Sequence, residues 1–243
     1  MKFDLHIHSC LSPCASLEMS PAEIASRAKA AGLDAIALTD HQSAKNAAAV
    51  AECARRVGLS CLCGLEVCTA EEVHALTLFD TPRQAMEMTD WVYAALPKRV
   101  NDPETFGDQP VVTADEEIVE MEWRILAAAC RRTLAETGAE CRRLGGLFIA
   151  AHIDRSAFSV FSQLGGIPAD AAFDAVELSR TADETAWLAK AEGFAAVRSS
   201  DAHNLDDVAR VWAEAPMDAF SVASLKAAFA ARSVRISPRL TKF

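Results

Sequence analysis

The sequence predicts an α/β barrel, closed or nearly closed, whose working mouth lies at the C-terminal ends of its strands. Three observations carry this expectation. Short apolar, strand-like runs alternate with helical ones along the chain. Its 243 residues suit one barrel core, which commonly takes about 200–250 residues. All six histidines, His6, His8, His41, His74, His152 and His203, fall where such an apolar run meets a loop, leaving none for an ordinary surface or core role.

The alternation begins at once. Residues 3–8 read as a strand, and Ser20-Pro21-Ala22-Glu23 combines an N-cap, a proline at the first helical position and a glutamate at the third. That helix is expected to run to about residue 31 and stop at Gly32. Residues 34–39 form the next strand and 44–57 the next helix, ended by Gly58. Two such units imply parallel strands. Strands at 60–67 and 73–79 are joined by a link too short for a helix, and 82–95 reads as helical. Residues 97–114 are polar and rich in turn formers, an inserted loop or hairpin that could serve as a lid. Residues 116–144 are expected to form one long helix or two short ones broken at Gly138. Strands then follow at 147–151, 175–178 and 195–199, with helices at 182–192 and 222–231. About seven strands alternating with helices, without a linker or an internal repeat, predict one domain over 1–243.

A hydrophobic content of 51% supplies ample core, and no run approaches the roughly 18 apolar residues of a membrane span. No apolar signal core follows Met1, so the expected location is cytoplasmic, with no membrane partner. A formal charge of −10 argues against long nucleic acid as a partner and for a small phosphorylated substrate. The eight cysteines are expected to be mostly reduced, since they lack the dense spacing of a secreted disulfide scaffold. Cys61 and Cys63 are read as small hydrophobes packed beneath helices.

Neutral imidazole is a common ligand for transition metals. Carboxylates accompany several of the histidines: Asp40 beside His41, Asp201 two residues before His203, and Glu66 eight before His74. His6 and His8, two apart in a strand, point to one face and can share an ion. In a barrel the strand ends converge, so distant residues meet at one mouth. His74, at the start of its run, is not explained in this way. Together these residues predict a multinuclear metal site.

His6-Ile7-His8, Thr39-Asp40-His41, Gly64-Leu65-Glu66, His74, Ala151-His152-Ile153-Asp154 and Ser200-Asp201-Ala202-His203, in that order over about 200 residues, resemble the PHP family, named for its polymerase and histidinol-phosphatase members. The resemblance implies a distorted (β/α)7-type barrel and two or three divalent ions, zinc, manganese or iron. By position it implies that His6, His8, Glu66 and Asp201 hold one metal. Glu66 would bridge to a second ion bound by His74 and His152, and His41 and His203 would bind a third. Asp40 would orient a ligand or water rather than coordinate, with turn capping as its plainer alternative. Where family members usually place an aspartate or histidine after the His-x-His pair, this chain reads Ser12-Pro13-Cys14. Cys14 either completes the third site as a thiolate, favouring zinc or iron, or is a thiol in a proline turn that leaves that site weak.

The expected activity is metal-dependent hydrolysis of a phosphoester in a small metabolite or nucleotide, with a metal-bound hydroxide attacking phosphorus in line. Asp40, Asp201 and His203 are the candidate catalytic residues. Arg155, Arg180 and Arg198, near later strand ends, could bind phosphate through their guanidinium groups, and each also fits a salt bridge. Two other readings stand beside this one. The barrel could perform amidohydrolase-type hydrolysis of a non-phosphate bond. It could also be a noncatalytic metal-binding regulatory module, which the departure at Cys14 would favour.

Overall fold

The computed structural model describes residues 1–240. Strand β1 (Lys2–Ile7) leads into α1 (Pro21–Ala30), whose N-cap Ser20 accepts from the Glu23 N–H as the proline-led motif predicts. Strand β2 (Ala35–His41), helix α2 (Ala47–Arg56) and strand β3 (Ser60–Cys68) complete two parallel steps. Strand β4 (His74–Phe79) then runs back antiparallel to β3, and helix α3 (Pro82–Tyr93) follows it. The later elements are α4 (Pro103–Phe106), β5 (Pro110–Val112), β6 (Ile118–Met121), α5 (Leu134–Arg143), β7 (Leu147–Ala150), α6 (Val160–Leu164), β8 (Ala175–Leu178), α7 (Glu184–Lys190) and β9 (Ala196–Arg198). Two-residue strands β10 (Ala213–Glu214) and β11 (Arg235–Ile236) flank α8 (Val222–Ala230).

Nine strands form one sheet in the order β11-β10-β1-β2-β3-β4-β7-β8-β9. A parallel bridge from Ile7 to Ala202 ties the end of β1 to the segment after β9, so the sheet curls into a nearly closed barrel. Its inner face carries Phe3, Leu5, Ala37, Leu62, Leu76, Ile149 and Val197, and α8 packs Leu225 and Phe229 against them as a floor. On the outer face, Ile36, Leu38, Leu65, Phe79, Phe148 and Val176 lie under α1, α2, α3 and α5. Cys63 belongs to this outer layer, its thiol 3.8 Å from the Ala47 carbonyl of α2, as the packing reading expects.

Strict alternation along β1 would put Phe3, Leu5 and Ile7 on one face and the two histidines on the other. The register against β2 instead slips by one residue between Asp4 and Ile7. Phe3 and Leu5 therefore stay in the floor, Ile7 joins the outer layer, and His6 and His8 can face the mouth. On β3, Gly64 is required by the close approach of β4: a Cβ there would lie 2.3 Å from the Thr77 carbonyl oxygen.

The segment 116–144 departs from expectation. Ile118–Met121 pairs with β5 as a hairpin, irregular chain follows, and only Leu134–Arg143 is helical. The β-branched Ile118-Val119 pair suits a strand, and Thr133 with Glu136 makes the reciprocal capping box that starts the helix. Gly138 lies inside that helix rather than breaking it, because a Cβ would meet the Phe148 ring at 2.7 Å and the Ala171 carbonyl at 2.9 Å. The 97–114 segment becomes α4 and the first hairpin strand. Asn46 anchors it, donating to the Pro110 carbonyl at 3.2 Å and accepting from Val112 N–H at 2.9 Å. No helix among the described residues is long and apolar enough to cross a membrane.

Candidate metal centre

The strand ends bring all six histidines to one mouth, and Glu66, at the end of β3, sits among five of them. Its Oε1 lies 2.8 Å from His74 Nδ1, 3.0 Å from His152 Nε2 and 3.5 Å from His6 Nε2. Its Oε2 lies 3.0 Å from His41 Nδ1 and 3.4 Å from His8 Nε2. The position of His74 now has a cause: β4 runs antiparallel, so its beginning lies where the parallel strands end, with Cys68 opposite His74 in the register.

The ring nitrogens are held by a second layer of polar groups. Glu177 Oε2 is 2.9 Å from His6 Nδ1 and accepts the His152 backbone N–H at 2.9 Å. Asp40 accepts from Ser9 N–H and Ser9 Oγ, both at 2.6 Å, and from Ser12 Oγ at 2.7 Å. The Ser12 hydroxyl proton is thus spent on Asp40, so its oxygen accepts from His8 Nδ1–H, 2.9 Å away. With both rings neutral, this network leaves lone pairs on the Nε2 atoms of His6 and His8. They face each other at 3.1 Å, with Asp201 Oδ1 3.3 Å from each. Facing acceptors at this distance need a positive charge between them, a metal ion or the proton that the surrounding carboxylates favour on His6.

The side chains fit divalent metal ions. Donor atoms within each of three groups, His6/His8/Asp201, His41/Glu66/His74 and His8/His41/His203, lie within 4.8 Å of one another. His152 Nδ1 is buried without a hydrogen-bond partner among the described residues. Burial opposes charge on His6, but Glu177, Asp201 and Glu66 outweigh it and hold its pKa well above the ordinary value. The field that retains a proton there also favours a metal cation. On His8, burial and the neighbouring His203 ring push the pKa well below its ordinary value, toward the neutral form that coordinates. Burial would raise the pKa of Glu66, yet His74, His6 and His41 hold it well below the usual carboxylate range.

Cys14 is exposed, beside the third group. Burial of its sulfur pushes the thiol pKa up, but hydrogen bonds with His203 and His41 prevail and bring it to about 6. Two residues of the cluster adopt left-handed backbone, His152 at φ 27° and Asp201 at φ 49°. Such conformations cost of order 1–3 kcal/mol and persist where the surroundings enforce them.

The other expected site residues divide. Asp40 spends both carboxylate oxygens on Ser9 and Ser12, so it reaches the cluster only by holding His8 through Ser12. Asp201 and His203 lie within the cluster, and Arg155 pairs with Asp201 Oδ2 at its edge. Arg180 is a correction: it pairs with Asp207. Arg198 is another, a buried side chain that donates to the Ser237 and Ala182 carbonyls at 3.0 Å each. Arg198 is turned away from the mouth, and Arg180 takes the salt bridge that was its alternative. Nearness to a strand end says nothing of which way a side chain turns. Glu177 was missed, although an acid within the apolar run Ala175–Leu178 is the signal that could have found it.

The PHP domain family model matches residues 4–154. Comparison with curated proteins returns no significant match. Among solved structures, the lesion-specific endonuclease Q from Pyrococcus furiosus aligns over 100% of this chain and 60% of its own, at 20% identity and a TM-score of 0.71. Endonuclease Q in complex with a 27-mer duplex bearing an abasic lesion at the active site aligns over 93% and 55%, at 20% identity and 0.68. A candidate metal-dependent phosphoesterase from Bifidobacterium adolescentis aligns over 83% and 87%, at 18% identity and 0.59. The chain therefore spans little more than half the length of the endonuclease Q chains. At these identities the likeness shows the fold.

The duplex complex overturns the expectation against long nucleic acid, since this same fold occurs on a DNA substrate. Net charge sums the whole surface, whereas a phosphate entering the mouth would meet the local field of bound cations and Arg155. With the family pattern spanning well over half of its length and the matching histidines gathered at one barrel mouth, the chain belongs to the PHP domain family.

Proposed function

We propose that this chain is a metal-dependent phosphoesterase. The convergence of His6, His8 and Asp201, joined through Glu66 to the other histidines, carries the reading. His6, His8, Asp201 and Glu66 would hold one ion, Glu66, His74 and His152 a second, and His41, His203 and Cys14 a third. Divalent ions held there supply Lewis acidity at the phosphoryl group and lower the pKa of water. Glu177 holds the His6 ring through Nδ1, and Asp40 holds His8 through Ser12. Arg155, at the rim beside Asp201, offers further guanidinium N–H groups to the phosphoryl oxygens. The substrate can be a small phosphorylated molecule. The likeness to endonuclease Q favours a second substrate reading, a phosphodiester in a nucleic acid strand.

Protein reconstituted with zinc, manganese or iron, assayed against phosphomonoesters, phosphodiesters and an oligonucleotide containing an abasic site, tests this. Turnover of at least one phosphoester should be abolished by a chelator and restored by metal. Metal-replete protein that cleaves amides or lactones and no phosphoester would refute it.

Cys14 ligation has its own signature. Cobalt(II)-substituted protein should show a thiolate-to-cobalt charge-transfer band, and Cys14→Ser should lose both that band and about one bound ion per chain. An identical spectrum and metal content in the variant would remove Cys14 from the third site.

A further inference from the structure

Beside the histidine cluster lies a recess of about 640 Å3, inside the range of roughly 300–1,000 Å3 usual for ligand sites. Arg155 belongs to both, lining the recess while its guanidinium pairs with Asp201 Oδ2. Within the recess, Phe161 meets Trp187 edge-on with ring centroids 5.4 Å apart, and Lys190 Nζ lies 4.0 Å from the Trp187 ring centre. Both rings are half-buried. Lys190 pairs with no carboxylate among the described residues, its cation resting on the ring instead. Asp154, on the same wall, spends its oxygens on the Ser179 N–H at 2.7 Å and hydroxyl at 2.6 Å.

We propose that this recess is the subsite for a nucleotide unit of the substrate, its base against Trp187 and Phe161 and its phosphate between Lys190 and Arg155. The inference rests on the phosphoesterase reading for the group that reacts at the cluster. Two rings and two cations against one committed carboxylate, in a chain of net charge −10, select for a ligand with both a π-face and an anion. Inorganic phosphate would use the cations and leave the rings idle. A guanidinium has five N–H donors, so pairing with Asp201 leaves Arg155 donors for the incoming phosphate. Lys190, held over Trp187 by a cation–π contact alone, is free to move to an anion and uncover the ring.

Calorimetric titration of the metal-loaded full chain with a mononucleotide, a short oligonucleotide and inorganic phosphate tests the subsite. Trp187→Ala should weaken mononucleotide binding about five-fold or more while leaving inorganic phosphate affinity and metal content unchanged. Trp187→Phe should restore most of the loss, and Lys190→Ala should weaken both ligands. Tighter binding of the oligonucleotide than the mononucleotide in the unmodified protein would assign the unit to a strand, and equal binding to a free nucleotide. Mononucleotide affinity indifferent to Trp187→Ala overturns the proposal, even if phosphoesters are hydrolysed. Trp187-dependent binding without turnover of any phosphoester would leave the subsite standing and remove the phosphoesterase reading instead.

Discussion

Replacing Glu66 with glutamine is expected to lower metal affinity by at least about 10²–10³-fold, with turnover falling in step. Glu66 is buried, and its two oxygens divide five imidazoles between them. Glutamine preserves the volume and leaves the β3 strand intact, so the protein should still fold. It replaces one acceptor oxygen with an N–H₂ group, which cannot bind a cation and donates to the imidazole lone pair it meets, occupying electrons that a metal ion would use. Removing one partner from a buried charged set costs about 3–5 kcal/mol, and that energy sets the expected loss. Elemental analysis after exhaustive dialysis, with circular dichroism to verify the fold, measures it. A Glu66→Gln protein retaining full metal content and turnover would show that the carboxylate is a structural ion-pair partner only.

The second largest effect is expected at Glu177. One oxygen of this buried carboxylate accepts from both His6 Nδ1 and the His152 backbone, so it fixes two ligands at once. Its other oxygen, Oε1, has no hydrogen-bond partner among the described residues. Glu177→Ala releases both ligands and should lower metal affinity or activity by about 10–100-fold, the usual effect of losing an outer partner of a ligating histidine. Glu177→Gln can keep an acceptor at the occupied position and lose only the charge, so it should recover much of the alanine deficit. A change in the pH dependence of metal uptake should accompany it, because Glu177 is the foremost carboxylate holding the His6 pKa above its ordinary value. Equal losses in the two variants, with an unaltered pH profile, would mean that Glu177 acts through packing.

Much of the cluster was legible because its residues obey a simple rule: polar ligands where apolar strands end. His6, His8, His41, Glu66, His152, Asp201 and His203 all follow it. His74 did not, since a direction of travel is not written in a six-residue apolar run. The short link between Cys68 and His74 carried that information, as a connection too brief for a crossover helix permits only an antiparallel return. The slip in β1 was hidden for a related reason. Phe3, Leu5 and Ile7 alternate perfectly with the polar positions, and only the register against β2 shows that one residue is extra.

The outer shell was harder to read. Ser9 and Ser12 matter through whom they touch across the fold, and neither spacing nor residue type distinguishes them from ordinary loop serines. Glu177 is marked only by being an acid inside the apolar run Ala175–Leu178. Arg198 gave the opposite error. It has the charge of a phosphate ligand, but it sits on β9 with its guanidinium turned into the protein, where two backbone carbonyls take its donors. The acidic, helix-forming composition of residues 116–144 masks two local signals, the β-branched pair at Ile118-Val119 and the Thr133–Glu136 capping box.

Anomalous diffraction at the metal absorption edges, on crystals of metal-reconstituted protein, tests the central claim most directly. At least two peaks are expected to flank the Glu66 carboxylate, one among His6, His8 and Asp201 and one beside His74 and His152, with a third beside Cys14, His41 and His203 if the thiolate completes that site. Full reconstitution with no peak at the barrel mouth, or a single peak remote from Glu66, would contradict it.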